Sequence, residues 1–214
     1  MRRLILTILV LIAILLAAWF GFKVLTSKPD ASDSKGSIPA LAVATVLSPN
    51  KPLVSFSLTD HNLAPFTQSS FLGQWTLLYF GYGQCPEICP RTLTTVSEIW
   101  NLLPSQSQGI QPLRFVFVSL DPQGDRPEDL KKLLARFNSD FIGLTGEESE
   151  IQNLSKACSI HSWEDPKASK EGPKIIDHSA TLLLINPQGR IHALFSPPHE
   201  KEAIASDLKI LLKL

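Results

Sequence analysis

A continuous apolar run, WTLLYF at 75–80, and a second strand-like stretch, LRFVFVSL at 113–120, most restrict what this chain can become. An apolar run without alternation suits a strand covered on both faces. Between them, Leu93, Val96, Ile99, Trp100 and Leu103 recur at helical spacing. The pattern then repeats. PEDLKKLLARF (127–137) predicts a helix, with Asp125 as its cap, Pro127 in its first turn and Glu128 at the capping-box position. FIGLTG (141–146) predicts a short strand, and EESEIQNLSKACSI a helix with an acidic first turn. VSFSL alternates as a short strand does. SATLLLINPQGRIHALF reads as a hairpin around Asn-Pro-Gln-Gly, and EKEAIASDLKILLKL as a closing amphipathic helix. Alternating strands and helices predict an α/β fold, a mixed central sheet with flanking helices on both faces and an extra β-hairpin.

The 214 residues suffice for one ordinary domain plus an appendage. The appendage is Leu4–Phe22, 19 residues without a charge. About 20 apolar residues cross a bilayer core. A cleaved signal peptide would end at small residues, but Ala17-Ala18 is followed by Trp19, Phe20 and Phe22. We therefore expect an uncleaved membrane anchor at 1–25. Arg2 and Arg3 precede it, which puts the N-terminus in the cytoplasm and the domain on the outer, periplasmic-type face. No cysteine closes the segment, so a lipoprotein-type anchor is excluded. Residues 26–52, rich in Ser, Pro, Ala and Lys, read as a flexible linker, and 53–214 as the folded domain. The net charge is zero, which leaves no nucleic-acid footprint.

The chemistry concentrates in GYGQCPEICP (81–90). The chain has three cysteines, and two of them, Cys85 and Cys89, lie here. They fall after a central strand and at the start of the next helix, where α/β sheets gather their sites and where a helix dipole favours thiolate over thiol. Redox pair, metal site and packed thiols are the alternatives. Pro86 and Pro90 speak against mere packing, since core thiols lie inside elements. Three intervening residues set the sulfurs wider than the two of a thioredoxin motif. Two thiolates on one turn make a soft chelating pair suited to Cu(I) or zinc, and they need a third ligand. Of the five histidines, His178 in KIIDHSATLLLI stands directly before a predicted central strand and is the best placed. His61, His161, His192 and His199 read as surface residues. Cys158, on the apolar side of a helix, reads as core.

Taken together, GYGQCPEICP, VSLDPQGDRPEDL, FIGLTG and DHSATLLLINPQG resemble, in order and spacing, the Sco/SenC family of membrane-anchored copper chaperones of cytochrome c oxidase assembly. The resemblance spans about residues 53–214. It implies a thioredoxin-like fold, one copper ion held by Cys85, Cys89 and His178, and cytochrome c oxidase subunit II as the acceptor. Other copper chaperones or thioredoxin-like reductants are further expected partners. Asp121 and Asp125 match the family's Asp-Pro-x-x-Asp loop; each either supports the ligands from behind or contacts a partner, or is simply a turn residue (Asp121) or a helix cap (Asp125). The chain departs from the family at Gly83, where threonine is usual. The same cysteine pair also suits a thiol-disulfide reductase that keeps the oxidase cysteines reduced, one thiolate attacking and the other resolving. A peroxidase is disfavoured, because Tyr82 stands three residues before Cys85, where peroxiredoxins carry Thr or Ser.

Overall fold

A computed structural model describes Trp19 and residues 40–103, 111–164 and 175–213. The chain divides into two compact units, Met1–Ile38 and Pro39–Leu214. The expected anchor at 1–25 lies outside the described residues, Trp19 apart. Among the described residues no helix is long and apolar enough to cross a membrane.

In the second unit the described elements follow in the order β1 (Thr45–Pro52), β2 (Ser57–Asp60), β3 (Pro65–Thr67), β4 (Trp75–Gly81), α1 (Ile88–Leu102), β5 (Leu113–Ser119), α2 (Pro127–Ala135), β6 (Ile142–Thr145), α3 (Glu148–Ala157), β7 (Ser162–Glu164), β8 (Ile176–His178), β9 (Leu182–Ile185), β10 (Arg190–Phe195) and α4 (Lys201–Leu211). Eight strands form one sheet in the order β1-β10-β9-β4-β5-β6-β2-β3, and β7 pairs with β8 in a separate ribbon. β4, β5 and β6 run parallel; β9 and β10 flank β4 as the expected antiparallel hairpin. This is the mixed α/β sheet that the element order predicts.

Strand periodicity divides the core. Trp75, Leu77 and Tyr79 of β4 face one cluster with Phe115, Phe117 and the apolar sides of α1, α2 and α4. Leu78 and Phe80 face the other, with Val116, Val118 and α3. Each such buried side chain contributes about 1.5–3 kcal/mol relative to exposure. Cys158 lies in the second cluster, as its helix position predicts.

Two local readings are corrected. Residues 45–52, assigned to the linker, form β1 and pair with β10. Prolines do not prevent this at the edge of a sheet, where one side of the strand needs no ladder hydrogen bonds. Nor does Asp125 cap α2. The N-cap is Arg126, whose guanidinium pairs with Asp129, and the Asp125 carboxylate is engaged elsewhere.

The sheet register positions the functional end. Gly81 is level with Ser119 across β4 and β5, so the loops leaving both strands lie side by side. β9 runs against β4, so the segment entering β9 meets the segment leaving β4. That brings residue 178 to residues 82–89.

Candidate metal centre

Helix α1 begins at Ile88 with Glu87 as N-cap, whose own side chain makes no capping bond. A helix start leaves its first N–H groups without intrahelical partners. Here the Cys85 sulfur takes one of them, accepting the Cys89 N–H at 3.3 Å. Cys85 thus stands just before the helix and Cys89 in its first turn. Both are free and buried, 8% and 2% exposed.

His178 ends β8 and completes the group. Its Nε2 is 3.5 Å from Cys89 Sγ, and one donor atom from each of Cys85, Cys89 and His178 lies within 4.8 Å of the others. Nδ1 is 3.3 Å from the Ser179 carbonyl. A proton on Nδ1 donates there and leaves the Nε2 lone pair facing the sulfurs. The rings of Tyr79 and Tyr82 stand edge-on to the imidazole at 6.0 and 6.1 Å and restrict its rotation. Two buried thiols without a cross-link and a partly buried imidazole beside them are the donor set of a soft metal ion.

Without metal the two cysteines are unequal. The Cys89 S–H bond to Cys85, with further help from the N–H groups of Cys89 and Glu87, lowers the Cys85 pKa to about 3 despite burial. Contact with the Cys85 sulfur and then burial push Cys89 up, so it holds its proton. The reduced chain is therefore expected to keep one thiolate at pH 5, where an ordinary cysteine of pKa about 8.5 is protonated. Ultraviolet thiolate absorbance during acid titration checks this: the band must fade only as pH falls toward 3. Loss of the band near pH 8 would refute it.

Sequence reasoning missed what lies beneath the sulfurs. Tyr79, fully buried, directs its hydroxyl at Cys89 Sγ across 3.7 Å. Burial raises its pKa and keeps the phenol a donor. The available signal was composition: the chain has two tyrosines, and both touch this site. Gly81 is the second omission. A Cβ there would meet Cys89 Sγ at 2.7 Å and the Phe117 ring at 2.9 Å. Gly81→Ala is expected to cost about 1–3 kcal/mol by overpacking and to displace the Cys89 sulfur. Thermal unfolding measures the cost, and an unchanged midpoint would mean that the strand yields freely.

Asp121 and Asp125 do not join the ligand cluster. Both are buried in the loop after β5. Asp125 accepts the Gly83 N–H at 2.8 Å and the Ser119 hydroxyl at 2.6 Å, and burial raises its pKa. Of the histidines expected at the surface, His161 is exposed. The other three are partly buried. His61 Nδ1 accepts the Gly143 N–H, His192 packs edge-on to Trp75, and His199 Nε2 lies 3.3 Å from the Phe195 carbonyl. Each serves the fold where it stands. On the open side of the site, a groove of about 780 Å³ runs from His178 past Ile88, Arg91, Thr95, Pro197 and His199.

Known proteins are similar to this chain in sequence and fold. The SCO1/SenC family model matches residues 47–213. The mitochondrial SCO1 homolog of Mus musculus is 34% identical over 160 residues, which cover 74% of this chain and 56% of that protein. The structure of Bradyrhizobium japonicum ScoI with copper bound shares 31% identity and a TM-score of 0.65, over 74% of this chain and 98% of that one. Apo Sco1 from Thermus thermophilus shares 28% identity and a TM-score of 0.70, over 83% of this chain and 100% of that one. The chain spans about half the length of the mitochondrial relatives it matches. With its sheet, its paired cysteines and a match that runs from residue 47 to residue 213, this chain belongs to the SCO1/SenC family.

Proposed function

We propose that this chain is a copper-delivery protein of cytochrome c oxidase assembly. It holds one copper ion on Cys85, Cys89 and His178 and hands it to the binuclear copper site of oxidase subunit II. One observation carries the reading: two buried thiols and a partly buried imidazole bring their donor atoms within 4.8 Å of one another. Soft thiolates select Cu(I), and one nitrogen extends the set toward Cu(II). Thiols must lose their protons to ligate; Cys85 has already lost one, and Cys89 releases its own as the ion enters. A three-coordinate ion is open to attack by an acceptor thiolate, and the groove beside His178 leaves the acceptor room to approach. The copper-bound Bradyrhizobium ScoI supports the choice of metal. The same reading includes a thioredoxin-like domain carried on an N-terminal membrane helix, facing the outer side.

Anaerobic titration of the reduced full chain with Cu(I), against a chromophoric chelator, tests it. Uptake must saturate near one ion per chain, and the loaded chain must then transfer that ion to the reduced soluble domain of oxidase subunit II. Uptake far below one ion, or retention in the presence of acceptor, sinks the reading.

The unequal cysteines favour a second activity, disulfide reduction. The Cys85 thiolate attacks one sulfur of a substrate disulfide and releases the other as thiolate. Cys89 then loses its proton and attacks Cys85 Sγ, closing a Cys85–Cys89 disulfide and freeing the reduced substrate. His178 separates the two activities, because holding copper as Cu(II) needs the imidazole and exchange does not.

A further inference from the structure

The loop that carries Cys85 is fastened from the neighbouring loop by one carboxylate. Asp125 is 4% exposed, yet its Oδ2 accepts two hydrogen bonds, from Gly83 N–H at 2.8 Å and Ser119 Oγ–H at 2.6 Å. Ser119 Oγ in turn accepts the Asp121 N–H at 3.0 Å. Ser119 ends β5 level with Gly81, so this chain of bonds is anchored on the rigid sheet. Gly83 lies within the turn that Cys85 N–H closes onto the Tyr82 carbonyl at 3.3 Å. Fixing the Gly83 amide therefore fixes the turn that presents the Cys85 sulfur.

The same contact explains why residue 83 is glycine. Gly83 does not occupy the left-handed backbone region, so its conformation makes no demand for glycine. Space does. A Cβ at this position would lie 2.5 Å from Asp125 Oδ1 and 3.2 Å from its Cγ. The carboxylate fills the volume that a side chain at 83 would need.

We infer that Asp125 is a positioning residue for the metal-binding loop, acting through the Gly83 N–H, and that glycine at 83 and the buried carboxylate form one interlocked pair. Removing the carboxylate takes the acceptor from the buried Ser119 hydroxyl and the partly buried Gly83 N–H, and the turn is free to reorganise. Groups that orient metal ligands from behind typically control affinity by about 10–100-fold. The consequence for copper rests on the copper-binding reading above; the fastening of the loop does not.

The test uses the reduced full chain with Asp125→Ala, Asp125→Asn, Gly83→Ala and the double variant Gly83→Ala/Asp125→Ala. Amide hydrogen exchange at Gly83 is read without metal, and Cu(I) affinity by chelator competition. Asp125→Ala is expected to speed exchange at Gly83 by about tenfold or more and to lower affinity by about 10–100-fold. Asp125→Asn keeps an acceptor oxygen and stays within about threefold of wild type in affinity. Gly83→Ala alone lowers affinity by about tenfold, and this loss shrinks once Asp125 is alanine, because the added Cβ then has room. Unchanged exchange at Gly83 in Asp125→Ala, or strictly additive losses in the double variant, overturns the assignment. Should Asp125→Ala fail to fold, Gly83→Ala decides: unchanged exchange together with unchanged affinity overturns it. A wild-type chain that takes up no copper refutes the copper reading, while exchange at Gly83 still judges the fastening.

Discussion

His178→Ala lowers Cu(II) affinity by about a thousandfold, about 4 kcal/mol, and lowers Cu(I) affinity far less. The asymmetry follows from coordination chemistry. Two thiolates satisfy a soft Cu(I) ion by themselves, whereas Cu(II) prefers nitrogen donors and a fuller shell. His178 is the nitrogen that the fold brings within reach of both sulfurs. Its removal also leaves Nε2 of no other histidine in the cluster to replace it among the described residues. Thiolate-to-Cu(II) charge-transfer absorption, followed beside wild type, reports the loss directly. Reduction of a model disulfide by the same variant should proceed within about threefold of wild type, because Cys85 and Cys89 carry that chemistry alone. Identical spectra and affinities would remove His178 from the site. A parallel loss of disulfide reduction would mean that the imidazole also serves the exchange reaction.

Asp207→Ala is expected to cost the domain about 3 kcal/mol, or roughly 6–12 °C in melting temperature. Asp207 sits on the buried side of α4, 1% exposed, among Ile204, Leu208 and Leu211. Its two oxygens accept the N–H groups of Ala42, Val43 and Ala44 at 2.7, 2.8 and 2.7 Å. These residues lead directly into β1. The carboxylate therefore fastens the chain at the point where the domain begins, and it holds β1 in place against β10. Alanine removes the acceptor of three charge-assisted bonds and leaves a polar cavity beside the helix. Partial re-solvation of the exposed segment limits the cost to less than three full bonds. Asp207→Asn keeps one acceptor oxygen and should lose about half as much. Thermal unfolding together with hydrogen exchange across β1 and β10 measures both effects. A melting temperature within about 2 °C of wild type and unchanged exchange would show that β1 holds without the clasp.

Much of the metal centre was legible in the chain. WTLLYF and LRFVFVSL declare the central strands because only doubly covered strands tolerate such runs. The cysteine pair follows one of them at a helix start, where thiolate is favoured. His178 precedes the third apolar run, and the antiparallel course of β9 against β4 then delivers it to the cysteines. Asp125 was legible only as a helix cap. An aspartate two residues before Pro127 satisfies the local rule, yet the partly buried Gly83 N–H and the buried Ser119 hydroxyl compete for the same carboxylate and win. Their bonds are short and shielded from water, whereas the start of α2 is exposed and can be solvated.

The sequence by itself determined the pattern of strands and helices, the soft character of the ligand set and the loop that carries it. These depend on short-range properties: periodicity, propensity and the chemistry of adjacent side chains. Tertiary structure alone decided the residues that act across the chain. Residues 45–52, composed like a linker, became a strand because β10 offered an open edge. Asp207, an ordinary polar position in an amphipathic helix, became the clasp of the domain's first segment. Tyr79 became the floor of the metal pocket, and Gly83 the seat of a carboxylate 42 residues away. In each case the partner is distant in sequence, and burial makes the contact strong by excluding the water that would otherwise compete for it.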